Sequence, residues 1–355
     1  MRQTWGTPYQ KVRGFRYSRP KSSRRRLSWY GRSDNRQALE HPAAQWQPQA
    51  MNDIEWIAPD PAAVVAALAG IGFAVDPTEI TLLVRDNRFA ARLPGHCIAW
   101  FPTDPHGRER LAREARTLAL IERHCSFRAP RLIHRSATGW QLRAEVPGTA
   151  DPFSVYQRVR DDRHFAAVLG ADLGRVLADQ HLSIPPRELG DWLLPSPAWP
   201  LPPAQVAADL ARVTGDRALI DEAMALLHRY EAAKLDLAEP VLAHTDFGFH
   251  NMVLTADGAV LGVFDYDEAS RADRHYDFRY LLLDVQEEAL FTAAVEAYEA
   301  AGGQPIDLDR VRLFNAASAI AFLAWRGDAG PDEKPAGRTL AEDLRWVHMA
   351  LDRAG

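Results

Sequence analysis

Three oxygen-bearing side chains stand at spacings that could serve one reaction. Within residues 241–266 the chain reads His244-x-Asp246, then Asn251 five residues later, a turn at Asp257-Gly258, and an apolar run ending in Asp265. A turn between two apolar runs predicts a hairpin, which would bring Asn251 and Asp265 to neighbouring strand ends near Asp246. Phosphoryl transfer needs such a set. A carboxylate must orient an attacking hydroxyl and take its proton, and oxygen ligands must hold Mg2+ against nucleotide phosphates. On that chemistry Asp246 with His244 are the candidate catalytic residues, and Asn251 and Asp265 the candidate Mg2+ ligands. His-x-Asp alone or an Asp-Gly turn alone is common; their ordered combination is far more restrictive.

The flanking segments predict the elements that must position these groups. Ala and Val spacing suits a short helix over residues 60–68, followed by strand-like runs at 80–85, 89–93 and 97–101. A helix is expected over 108–123, where Leu111, Leu118 and Ile121 recur at helical spacing, and further extended segments near 131–134 and 139–145. Val146-Pro147-Gly148 reads as a hinge. Beyond it, helices are expected over 153–181, 203–213 and 217–237, with more after Tyr276. A strand-rich half and a helical half predict an α+β fold of two lobes around a cleft. The expected division is a basic tail over 1–50, an N-lobe over 51–148 and a helical C-lobe over 149–355.

Charge is unevenly spread. The formal net charge is −5, yet residues 1–50 alone carry +9, so the remainder carries −14. An acidic body argues against general nucleic-acid binding. The tail, with its Arg24-Arg25-Arg26 run, lacks apolar periodicity and is expected to be disordered; a nucleic-acid-binding arm, a targeting peptide or an early start codon before Met51 are the other readings. Cys97 and Cys125 have neither metal nor redox spacing, and no apolar run is long enough to span a membrane. A reducing, cytoplasmic setting is expected.

The segment from His244 to Asp265 resembles the catalytic segment of the aminoglycoside phosphotransferases: His-Gly-Asp, a few residues, Asn, a hairpin, then Ile-Asp. Thr245 stands where glycine is usual. The similarity continues in Arg271-Ala-Asp273-Arg274-His-Tyr276-Asp277 and implies a bilobal protein-kinase-like fold from about Met51 onward. It implies that Asp277 buttresses the catalytic loop with Asp273 in support, that ATP (or GTP) and Mg2+ are the cofactors, and that the acceptor is a hydroxyl of a small molecule, an antibiotic or a metabolite. In the strand lobe, Glu114 looks like the family's helix glutamate, but Trp100 falls where its partner lysine belongs, and no lysine occurs between Lys21 and Lys234. Arg92 is the candidate replacement cation, and the glycine-free turn of residues 85–88 replaces the usual phosphate-covering loop. Ala144, Glu145 and Val146 would offer backbone groups to the base, while Trp192 and Trp199 either wall the acceptor pocket or simply pack. His181 is expected to be structural. The alternative reading is a catalytically impaired nucleotide-binding or regulatory module that has lost the lysine.

Overall fold

The computed structural model describes residues 56–234, 239–284, 287–335 and 338–355. The expected tail and the domain start at Met51 lie outside them, as does the expected end of the helix near 237. By contacts the chain divides into two compact units. One runs to Arg108 and includes Arg135–Leu142; the other holds Glu109–His134 and Arg143–Gly355. The chain-order division at Gly148 is a different one.

The first unit is organised by strand alternation. Strands β1 (Thr81–Val84), β2 (Arg88–Leu93) and β3 (Cys97–Pro102) form an antiparallel meander, in a five-stranded sheet of order β1-β2-β3-β5-β4 completed by β4 (Arg131–Arg135) and β5 (Gln141–Ala144). Phe89, Ala91 and Leu93 of β2 alternate inward and join Ala99, Phe101, Trp140 and Leu142 against Val64 and Leu68 of helix α1 (Pro61–Ala69). Phe89 and Phe101 stack with ring centroids 4.8 Å apart, and Phe101 stacks on Trp140 at 5.4 Å. Each fully buried apolar side chain here contributes about 1.5–3 kcal/mol. Asp60 starts α1 by accepting a hydrogen bond from the Ala63 N–H at 3.0 Å, with Pro61 in the first turn.

The second unit is mostly helical. After α2 (Pro105–His124), of which residues from Glu109 belong here, come α3 (Pro152–Asp161), α4 (Arg163–Ser183), α5 (Pro203–Val213), α6 (Arg217–Lys234), α7 (His275–Asp284), α8 (Glu288–Ala300), α9 (Leu308–Trp325) and α10 (Leu340–Ala354). α9 is buried on nearly every side, from Val311 to Ala324, and forms the post around which α5, α6, α7 and α10 pack. Residues 153–181, expected as one helix, form two. Asp162 has an extended backbone (φ −132°), closes α3 through its N–H to the Arg158 carbonyl at 2.8 Å, and opens α4 by accepting from the Phe165 N–H at 3.0 Å. An aspartate is a stronger N-cap than a helix interior residue, so the break falls there.

Between the helices lie two short ladders. Strand β6 (Val241–Ala243) pairs with β9 (Ser270–Ala272), and β7 (Met252–Leu254) pairs antiparallel with β8 (Val260–Val263). No helix among the described residues is long and apolar enough to cross a membrane.

Candidate active site

The β7–β8 hairpin sets the geometry. Met252 lies opposite Val263, so the next pair outward is Asn251 with Phe264, closed by the Phe264 N–H donating to the Asn251 carbonyl at 2.9 Å. Asp265 follows immediately, exposed and in the left-handed region at φ 68°. Asn251 Nδ2 donates to both the carbonyl and Oδ2 of Asp246, each at 2.9 Å. The amide nitrogen is thereby spent on Asp246, which leaves Oδ1 as the atom able to face a metal. A neutral amide oxygen and an exposed carboxylate are hard donors suited to Mg2+, which takes few protein ligands and completes its shell with phosphate oxygens and water. No three His, Cys, Asp or Glu side chains among the described residues group tightly enough to hold a metal alone.

Asp246 is half-buried and ionised. Burial raises its pKa, but the His250 ring, whose Nε2 lies 3.2 Å from Oδ2, together with a Tyr280 hydroxyl bond, outweighs it and holds the carboxyl well below its usual range. His250 and Tyr280 are site residues that the spacing analysis missed. The ordinary i,i+4 offset of His250 from Asp246 was the available signal.

His244, expected beside Asp246 as a catalytic residue, has no exposed surface. Its Nε2 donates to the Phe264 carbonyl at 2.9 Å and its Nδ1 accepts from the Asp246 N–H at 3.2 Å, which fixes the neutral tautomer. Burial, against the pull of Asp277 and Asp246, lowers its pKa in the same sense. The imidazole thus ties the backbone of residue 246 to the residue before Asp265, and both nitrogens are occupied.

Asp277, fully buried at the start of α7, captures the loop's backbone. It accepts from the His244 N–H at 2.9 Å, the Thr245 N–H at 2.8 Å and His181 Nε2 at 3.2 Å. Burial raises its pKa; the His181 bond and the charge of His181 outweigh that and keep it anionic. Thr245 is itself left-handed at φ 70°, and its hydroxyl donates to the Glu268 carbonyl at 3.0 Å. Asp273 stands apart from this cluster. It caps α7 through the His275 N–H at 2.8 Å and pairs with Arg310.

Ala144, Glu145 and Val146 run alongside the same hairpin. A Cβ on Gly262 of β8 would lie 2.8 Å from Val146 Cγ1, and one on Gly148 would lie 2.3 Å from Val253 Cγ1 of β7. Both glycines are therefore required for this close approach. Val146 is buried, while Ala144 and Glu145 are partly exposed.

Glu114 makes a buried ion pair. Its carboxylate meets Arg143 Nη1 of β5 at 2.8 Å, both side chains almost wholly buried, whereas Arg92 lies on β2 opposite Ile98. The ion pair is made by β5, because the lone charge in that buried strand needs a carboxylate. In the first unit, Trp100 pairs with Ala90 across the ladder, and alternation puts Arg88, Arg92 and Trp100 on the sheet face away from α1. The Arg88 guanidinium lies 5.1 Å from the Trp100 ring centre. Trp192 stacks under Arg116 at 4.3 Å, and Trp199 packs on Phe322 at 5.4 Å while its carbonyl accepts from the Tyr276 hydroxyl. His181 is buried between Asp277 and Tyr298.

By sequence, no curated protein matches the chain. Among solved structures, the GDP complex of wild-type aminoglycoside 2'-phosphotransferase-IIIa is similar at a TM-score of 0.60 and 16% identity, over 83% of this chain and 98% of that one. The apoenzyme of macrolide 2'-phosphotransferase MphH from Brachybacterium faecium is similar at 0.53 and 20% identity, over 82% and 98%. The ADP-bound aminoglycoside phosphotransferase APH(2'')-Ib is similar at 0.53 and 15% identity, over 82% and 97%. These likenesses give the protein-kinase-like fold. Residues 76–314 match the model of the phosphotransferase enzyme family, APH, and that span covers the sheet, α2, the loop of Asp246 and the hairpin, so the chain belongs to that family.

Proposed function

We propose that this protein transfers the terminal phosphoryl group of ATP or GTP, with Mg2+, to a hydroxyl of a small molecule such as an antibiotic or a metabolite. The observation that carries the reading is the bonding of Asn251 to Asp246 at one end of the β7–β8 hairpin, with Asp265 following the residue whose N–H bonds the Asn251 carbonyl. The nucleotides and drugs named for the similar structures, GDP with kanamycin and ATP with streptomycin, support the choice of cofactor and of acceptor class. Two free thiols suit the reducing, cytoplasmic setting expected from the sequence.

Asp246 orients the acceptor hydroxyl and takes its proton. A carboxylate held below its usual pKa is a weak base, so its main work is orientation, with proton transfer late along the reaction path. Asn251 Oδ1 and Asp265 would hold Mg2+, which would supply counter-charge for the transferred phosphoryl group. His244 and Asp277 are positioning residues: one ties the peptide of Asp246 to the hairpin, the other fixes the preceding two amides. Ala144 to Val146 offer backbone donors and acceptors to the base, and Arg92 and Arg88 are the candidate phosphate cations of the sheet.

The test is a nucleotide-consumption screen of the full chain against hydroxylated antibiotics and metabolites, with Mg2+ or EDTA. Metal-dependent turnover with at least one acceptor is expected. Metal-dependent nucleotide binding with no turnover on any acceptor would favour the module that lost its lysine, for which Trp100 and the Glu114–Arg143 pair are the supporting features.

A further inference from the structure

Helix α2 reaches the loop of Asp265 through Arg110. Arg110 Nε donates to Asp267 Oδ1 at 3.1 Å and its Nη2 donates to Oδ2, a two-pronged pair between side chains only 13% and 5% exposed. Asp267 stands two residues beyond Asp265, whose left-handed backbone (φ 68°) is uncommon for a residue with a side chain and persists only where the surroundings fix it. Other ties of this loop come from the loop of Asp246 and from α4. His244 holds the Phe264 carbonyl, Thr245 holds the Glu268 carbonyl, and Gln180 Oε1 accepts from the Tyr266 hydroxyl at 2.9 Å. Arg110 adds a tie from a third direction, and it gains meaning from its neighbour on the helix. Glu114 lies four residues on, on the same face, and engages Arg143. One helix face therefore grips both the end of β5 and the loop of Asp265.

A buried ion pair is by itself weak evidence for stability, since desolvation offsets much of the attraction. What a planar fork on a carboxylate does supply is orientation in a fixed plane. We propose that Arg110 is a positioning residue for the metal site, aligning the carboxylate of Asp265 by clamping Asp267. This rests on the reading of Asp265 as a metal ligand, and it makes α2 a contributor to metal affinity as well as to the Glu114 pair. Partners that orient metal ligands without touching the ion change metal affinity by about 10–100-fold when removed.

The experiment measures Mn2+ binding to the full chain with saturating ADP, by the electron paramagnetic resonance signal of free Mn2+, beside ADP binding in EDTA and thermal melting. Arg110→Ala is expected to weaken Mn2+ about tenfold or more, with metal-free ADP affinity changed less than about twofold. Arg110→Lys, which keeps the charge without the fork, is expected to fall between, and it serves as the test should Arg110→Ala not fold. The pair Arg110→Asp with Asp267→Arg is expected to regain part of the lost affinity. A folded Arg110 variant that binds Mn2+ as the wild type does overturns this proposal alone. A wild-type protein that binds no Mn2+ with ADP overturns it together with the proposed function.

Discussion

The loop that carries Asp246 and the strand that carries Trp100 are secured by different physics. Around Asp246, buried side chains bond mostly to backbone groups: Asp277 to two amides, His244 to a carbonyl and an amide, Thr245 to a carbonyl. Peptide groups are present whatever the sequence, so each such bond depends on one side chain only. On the strand side the connections join two side chains, as in Glu114 with Arg143 or Arg88 over Trp100. A side-chain pair can be rebuilt by moving one partner to another strand. The region proposed to do the chemistry is thus held in a form that resists substitution, while the region proposed to hold the nucleotide has room to exchange its parts.

The sharpest way to break this comparison is at the chemistry. Asp246→Asn and Asp265→Asn are each expected to lower turnover by about 10²–10⁴-fold, with melting temperatures close to wild type. Steady-state rates in which either variant keeps full activity would remove the assignment. Next in size, Arg143→Met should cost about 3–5 kcal/mol in denaturant unfolding, because it strands the Glu114 carboxylate in a buried site. Adding Glu114→Leu should recover most of that, and a double variant no more stable than the single would mean that the pair is not the source of the loss.

Arg92→Ala tests whether the sheet supplies a phosphate cation. A rise of about tenfold or more in nucleotide KM with kcat nearly unchanged is expected, the cost of one charge-assisted contact; an unchanged KM would shift the role to Arg88. The smallest effect concerns Glu268. Burial, then the charges of Asp267 and Asp246, push its carboxyl from the usual 4.5 up to about 7, with Arg110 opposing. The folded protein therefore keeps a proton that the unfolded chain releases between those values, and stability falls as pH rises through that window. In EDTA, Glu268→Gln should melt like wild type at pH 4.5 and above it at pH 8. A difference that does not change with pH would show that Glu268 titrates normally.

Much of the site was legible because its residues lie close in sequence. His244, Asp246, Asn251 and Asp265 are joined by one hairpin, and apolar alternation with an Asp-Gly turn marks a hairpin locally. The strands of the sheet were legible for the same reason, to within a residue or two at their ends. What escaped depends on distance along the chain. Arg110 and Asp267 are 157 residues apart, and nothing local in either segment names the other. Arg143 gave a usable sign, a lone charge among Gln141, Leu142 and Ala144, but its partner could be named only once α2 and β5 were in place. The break at Asp162 lies inside the run expected as one helix, where Asp161 and Asp162 stand side by side and only the second caps α4.

Thr245 carries a consequence for how this chain can drift. A branched residue at φ 70° costs on the order of 1–3 kcal/mol, and glycine would occupy the position without that strain. Glycine, however, has no hydroxyl for the Glu268 carbonyl, so a descendant with glycine here would gain ease in one peptide and lose the strap that joins two adjacent loops. Such a lineage would have to find a replacement strap elsewhere, or accept a looser floor beneath the reacting groups.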